Sequence, residues 1–239
     1  IHLTLVPYLK ASGELKTKPT QHSVKMLLEN GVQPNILVLR TEHELSMDLR
    51  KKVALFCNVD ADSVIQSIDV STIYEVPILM QKEKLDVIVL KKMGLDYSGT
   101  PELGPWTQFL KRLQNPKFHS KIALVGKYVE LPDAYISINE SFKHAGAMNN
   151  CRVDVEYIHS EGIDETNYID LLKGYDGILV APGFGDRGID GKILAARYAR
   201  LNNIPFLGIC LGLQCAVVEF ARNVLNLEKA HSTEMALKT

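Results

Sequence analysis

The residue with the clearest chemical potential is Cys210, in the run IPFLGICLGLQ at residues 204–214. An apolar stretch ends at Ile209, a G-x-C-x-G turn carries the cysteine, and an amphipathic pattern follows. A thiol on such a strand-to-helix turn is a nucleophile raised clear of the backbone, the cysteine version of a nucleophile elbow. Gly208 and Gly212 suit it because β-carbons at those positions would crowd a turn this tight. The helix N-terminus beside the sulfur supplies free N–H groups and positive potential, which favour the thiolate. Cysteines are most often buried structural residues. The flanking glycines set Cys210 apart from that pattern, whereas Cys215, inside the helix, keeps the structural reading.

A second candidate is the run Lys16, Thr17, Lys18, Pro19, Thr20 and Gln21. Two lysines ahead of a proline-started helix can bring ammonium groups and free backbone N–H groups to one phosphate. A lone K-x-K is more often a solvated basic loop. Gly183, Gly185 and Gly188 match G-x-G-x-x-G after a strand, but the position twenty beyond Gly188 is Gly208, not an acid. Gly191 and Lys192 do not complete a P-loop, because five residues separate Gly191 from Gly185 and Ile193 follows.

Short apolar runs alternate with helical patterns along the chain, which predicts an α/β fold of two doubly wound parallel-sheet domains. In the first domain, strands are expected at residues 2–6, 36–39 and 64–68, with a polar loop over 7–18. A helix over 19–30 starts with Pro19 and stops at Gly31. Another begins near Ser46 with Leu49, Val53 and Phe56 on one face. Residues 93–119 hold three prolines and three glycines and lose the rhythm. They read as an interdomain connection with one short helix over about 106–113. This gives a nucleotide-binding part at 1–92 and a second domain at 120–239. Strands of the second domain are expected at 122–125, 153–158, 177–181 and 205–209, and a helix at 211–224.

The chain has 239 residues, 46% hydrophobic and 23% charged, with a net charge of −1. That balance argues against a nucleic-acid coat, which needs a basic surplus. No apolar run approaches the ~20 residues of a membrane helix, and no signal peptide is read. Cys57, Cys151, Cys210 and Cys215 form no C-x-x-C pair, so neither a zinc site nor a disulfide framework is expected. A reducing cytoplasm fits this usage. The start at Ile1, in a strand-like run, leads to the expectation of a piece of a longer protein.

At Cys210 the chain resembles class I glutamine amidotransferases, in which this motif carries the cysteine that attacks the glutamine carboxamide. The runs LPDAYISINESFKHAG (131–146), GFGDRGIDGK (183–192), FARNV (220–224) and HSTEM (231–235) are similar to the CTP synthase family, and so is the run from His2 to Arg40. The resemblance implies that ATP phosphorylates O4 of UTP and that ammonia from glutamine then displaces the phosphate. Gly183 and Leu211 would donate N–H groups to an oxyanion hole. Gly183, Leu211, Gly212, Leu213, Gln214 and Glu234 would contact glutamine. Lys16, Thr17, Lys18, Pro19, Thr20, Gln21 and Lys52 would hold UTP or CTP, and Ile68, Asp69 and Val70 would touch ATP. The resemblance further implies Mg²⁺ with ligands outside this chain, nucleotide effectors, and a homotetramer. It also implies a phosphate-binding loop before Ile1, and a triad His and Glu beyond Thr239. The chain departs from the family at Pro182, where glycine is usual, and at Leu213, where Met is commoner. Two other readings stay open: a cysteine hydrolase of the elbow type, and a non-catalytic nucleotide-sensing module.

Overall fold

The computed structural model describes residues 1–96, 99 and 101–233. The chain forms two compact units that meet between Leu110 and Lys111. The range 93–119, read from sequence as a connection, therefore holds that boundary, an eleven-residue helix and the first residues of a strand.

In the first unit the elements run β1 (His2–Leu5), β2 (Tyr8–Leu9), β3 (Glu14–Leu15), α1 (Lys18–Glu29), β4 (Leu37–Thr41) and α2 (Met47–Cys57). Then come β5 (Val64–Ile68), α3 (Val76–Lys82), α4 (Leu85–Lys92) and α5 (Gly104–Gln114), which spans the boundary. The sheet is parallel in the order β1-β4-β5, with Leu5 beside Arg40 and Thr41 beside Ile68. Alternate side chains face opposite sides of a strand. Leu37 and Leu39 accordingly pack with Val24 of α1 and Val53 of α2, and Val38 and Ile65 with Met80, Leu85 and Val89 of α3 and α4. Helices thus cover both faces. Trp106 of α5 is anchored to this unit by its indole N–H, which donates to Tyr74 O at 2.7 Å.

Two local expectations fail here. The polar loop contains a small antiparallel hairpin, β2 with β3, turned at Gly13 with φ +66°. On α2 the buried positions are Val53, Ala54 and Cys57, with Leu49 packed alongside, while Phe56 is 63% exposed. Residues 49, 53 and 57 fall at spacings of four, and position 56 lies one residue off that stripe.

The second unit runs β6 (Phe118–Gly126), α6 (Ile136–Met148), β7 (Cys151–His159), α7 (Tyr168–Leu172), β8 (Gly177–Val180), α8 (Ile189–Leu201), β9 (Phe206–Gly208) and α9 (Leu211–Asn223). All its strands are parallel, in the order β7-β6-β8-β9. Ala123, Val125, Ile178 and Val180 face α7 and α8, and Leu124 and Leu179 face Ile138 and Phe142 of α6. Chain order reverses between β6 and β8. In open α/β sheets such a switch point opens a crevice at the carboxyl ends of the strands, where ligands bind.

α9 is fixed to α8 by apolar packing of Leu211, Cys215 and Val218 on Ile189 and Ile193. Charge adds to this at the far end. Glu219, 2% exposed, accepts from Arg200 Nη2 at 2.7 Å and Nε at 2.9 Å, and from Asn223 Nδ2 at 3.1 Å. Removing one member of a buried pair costs roughly 3–5 kcal/mol. Arg200 keeps some access to water, so Glu219→Ala is expected to cost about 2 kcal/mol in urea unfolding. A loss below about 0.5 kcal/mol, the size of an ordinary surface effect, would show that the pair does not hold α9.

Candidate active site

Cys210 lies two residues past the end of β9 and directly before α9, with φ 53° and ψ −108°. Left-handed φ is uncommon for a residue with a β-carbon and marks stored strain. The surroundings enforce it. A β-carbon on Gly212 would lie 2.1 Å from Val180 O, and one on Gly208 would lie 2.5 Å from the carbonyl carbon of Gly212. Only glycines let the first turn of α9 press onto β8 and β9 in this way. The result is a thiol at the end of the turn, with the exposed Cys210 contrasting with the buried Cys57 and Cys215. Burial pushes the Cys215 thiol up to about 11, against the opposing pull of the Lys192 and Lys127 ammonium groups. The Cys57 thiol is also raised by burial.

The loop after β8 lies at the switch point. A β-carbon on its buried Gly183 would sit 3.6 Å from Leu211 Cδ2, so the loop and the start of α9 are in contact. Among the described residues, neither the Gly183 N–H nor the Leu211 N–H donates to a backbone or side-chain acceptor. Two unspent donors near a thiol are the kind of groups from which an oxyanion hole could be built. Pro182 has no N–H, so of the loop positions 182 and 183 only Gly183 could donate.

Two buried lysines hold this loop: Lys127, which the sequence does not mark, and Lys192, which the sequence offers only as an incomplete P-loop lysine. Lys192, fully buried in the first turn of α8, donates to Ala181 O at 2.7 Å and Pro182 O at 3.4 Å. Lys127, 5% exposed just past β6, donates to Phe184 O at 2.6 Å and Gly185 O at 3.0 Å. Burial depresses both ammonium groups, Lys192 to about 8. A signal for Lys192 was present in the sequence. It lies three residues after Ile189 and four before Ala196, on the buried side of a helix.

Around the elbow, Leu213 is exposed and Gln214 half-buried. Gln214 Oε1 accepts from Ser232 Oγ at 2.6 Å, which ties Ser232 to α9. Glu234 lies outside the described residues. Cys210 Sγ makes no hydrogen bond to a described residue. His231 accepts from Ser232 N, and His159 from Glu161 N.

In the first unit, Lys16, Thr17, Lys18, Pro19, Thr20 and Gln21 follow the hairpin at the carboxyl end of β1. Lys16 pairs with Glu14 at 2.5 Å, and Lys18 and Pro19 are exposed at the start of α1. Thr20 is spent internally, on Leu5 O at 3.2 Å and Thr4 Oγ1 at 3.0 Å. The Gln21 amide donates to Thr17 Oγ1 at 3.3 Å. Lys52 is exposed on α2, which packs beside α1. Ile68 closes β5, Asp69 N donates to Thr41 O at 2.9 Å, and Asp69 Oδ1 accepts from Arg40 Nε at 3.3 Å; Val70 follows. Among the described residues no three His, Cys, Asp or Glu side chains cluster to hold a cation. None of the described helices is long and apolar enough to cross a membrane.

Residues 1–95 match the family described as CTP synthase N-terminus, and residues 130–239 match glutamine amidotransferase class-I. A CTP synthase of Cytophaga hutchinsonii is 64% identical over 98% of this chain and 44% of its own length. That of Christiangramia forsetii is 62% identical over 100% of this chain and 44% of its own length. The chain thus spans less than half the length of the curated relatives it matches. The Trypanosoma brucei CTPS glutaminase domain with bound acivicin is 41% identical over 50% of this chain and 47% of that one, with a TM-score of 0.47.

Two outcomes are expected from this geometry. Limited alkylation by iodoacetamide near neutral pH, mapped by peptide mass spectrometry, should modify Cys210 ahead of Cys151, with Cys57 and Cys215 last. Faster modification of Cys215 would contradict the burial that raises its thiol. The second concerns Lys192, whose pKa falls from ~10.4 unfolded toward 8 folded. Between those values the unfolded chain binds more protons, so this side chain adds stability as pH rises through about 8 to 10.4. Urea unfolding of the parent and of Lys192→Met across that range should show the parent gaining on the variant with pH. A constant difference would mean that the ammonium is solvated.

Proposed function

We propose that the chain belongs to the CTP synthase family and that it carries the cysteine half of a glutaminase site joined to part of a UTP-binding synthetase domain. The whole protein, on this reading, makes CTP from UTP, ATP and glutamine in the cytoplasm as a homotetramer. Mg²⁺ would be held by residues outside this chain. The observation that supports the glutaminase reading most strongly is the strained elbow of Cys210, followed in the chain by the unspent N–H of Leu211, whose side chain meets the loop that carries the unspent Gly183 N–H.

The chemistry this arrangement suits is acyl transfer. The Cys210 thiolate adds to the carboxamide carbon of glutamine, and the C=O π electrons move onto oxygen. The Gly183 and Leu211 N–H groups hold that oxyanion, each donor being worth roughly 3 kcal/mol of barrier. Collapse expels the amide nitrogen, which takes a proton and leaves as ammonia, with a thioester on Cys210. Water then cleaves the thioester to give glutamate and restore the thiol. Proton transfer to the leaving nitrogen falls to a general acid–base outside the described residues; such groups typically contribute about 10²–10⁴-fold. Leu213, Gln214 and Glu234 would line the glutamine site.

In the synthetase part, Lys16, Lys18 and Lys52 would meet the triphosphate of UTP or CTP, assisted by Thr17, Pro19, Thr20 and Gln21. Thr20 would act through its backbone, because its hydroxyl is committed to β1. Ile68, Asp69 and Val70, at the carboxyl end of β5, would approach ATP. A shared sheet edge suits this grouping, since nucleotides bind at the carboxyl ends of parallel strands.

The test is CTP formation by the full-length protein with glutamine or with ammonium chloride as nitrogen source. Cys210→Ala should abolish the glutamine-dependent reaction and leave the ammonia-dependent one. Lys18→Ala should weaken UTP about tenfold with either source, as expected for one lost charge-assisted contact. Retention of glutamine-dependent synthesis in Cys210→Ala would refute the nucleophile assignment. Unchanged UTP affinity in Lys18→Ala, Lys16→Ala and Lys52→Ala alike would refute the triphosphate assignment.

A further inference from the structure

Four of the five carbonyls of loop 181–185 are turned toward two buried ammonium groups. Ala181 and Pro182 face Lys192, and Phe184 and Gly185 face Lys127. Burying an ammonium is costly, and stability alone does not call for it. That cost must be offset by the carbonyls that each ammonium bonds. The hydrogen bonds of both lysines go to this one loop, which points to a task in it.

That task follows from peptide geometry. In a trans peptide the C=O and the next N–H point in opposite directions. With Lys192 bonded to Ala181 O at 2.7 Å and Pro182 O turned to the same ammonium at 3.4 Å, the Gly183 N–H points away from that ammonium. The peptide between 182 and 183 turns on Pro182 ψ and Gly183 φ, and a glycine leaves that rotation nearly unrestricted. Without an anchor, the donor of an oxyanion hole would rest on a soft hinge. Flipping the peptide would aim the N–H at a positive charge, so Lys192 penalises the wrong orientation as well as supporting the right one.

We propose that Lys192 is a positioning residue for acyl transfer: with Lys127 it holds loop 181–185 so that the Gly183 N–H stays turned to the oxyanion formed at Cys210. The depressed ammonium of Lys192 fits a charge kept from water for this purpose. The assignment rests on the reading of Cys210 as the glutaminase nucleophile.

The experiment compares full-length parent, Lys192→Met and Lys127→Met proteins with two reagents that attack the same thiol. A chloroketone analogue of glutamine reacts through a tetrahedral oxyanion, whereas iodoacetamide is displaced directly and forms none. In Lys192→Met the chloroketone rate and the glutaminase kcat should each fall by about 100-fold, the loss typical of one missing oxyanion donor. KM for glutamine and the iodoacetamide rate should stay near parental values. Unchanged kcat, or both labelling rates falling together, would overturn the proposal. Lys127→Met is expected to act in the same direction and replaces the first variant if that one does not fold. Crystal structures of parent and variant separate this proposal from the glutaminase reading. If the parent hydrolyses no glutamine, that reading fails, yet the peptide between 182 and 183 should still rotate in the variant. A peptide that does not move would overturn the positioning role.

Discussion

The second unit depends on the close approach of the first turn of α9 to the end of β8. No β-carbon fits between Gly212 and Val180 O, and that approach forces Cys210 into left-handed φ. Backbone strain of this kind costs on the order of 1–3 kcal/mol. It is offset within the same element. Leu211, Cys215 and Val218 bury themselves against α8, and full burial of a Leu or Val side chain contributes ~1.5–3 kcal/mol. Glu219 then pins the far end of the helix through Arg200 and Asn223. The helix is held at both ends, so the strained residue at its start cannot relax.

The same constraint organises the rest of the site. A helix start pressed onto a strand end leaves Leu211 N–H without an acceptor, and the neighbouring loop, which meets the Leu211 side chain, holds the likewise unspent Gly183 N–H. Lys127 follows β6 and Lys192 lies in α8, so the flanking elements of the switch point both send an ammonium to that loop. The site is thus built from strand ends and helix starts, with loop backbone fixed by charge. Such placement suits precise chemistry better than mobile loop side chains do.

Most of the framework was legible in the sequence, because fully buried parallel strands read as short apolar runs. Val64–Ile68 coincides with its expected span, and the other strands of both sheets differ by a few residues at their ends. The elbow was legible too, since two glycines at fixed offsets around a cysteine have a direct steric reason. The β2–β3 hairpin was not, because two strands of two residues carry no periodicity. Phe56 misled as a large apolar residue near the correct stripe, although it is exposed. Lys127 and Lys192 were not legible as loop anchors for a different reason. A lysine in sequence is presumed solvated, and only the fold shows that these two end on carbonyls at the switch point.

On the proposed reading, Cys210 and the two unspent N–H groups form one acyl-transfer site. A crystal structure of the full-length protein with an aldehyde analogue of glutamine added to Cys210 tests it most directly. The hemithioacetal oxygen should lie about 2.7–3.1 Å from both the Gly183 and the Leu211 nitrogens. An adduct oxygen directed to solvent, with either N–H bonded elsewhere, would contradict the account.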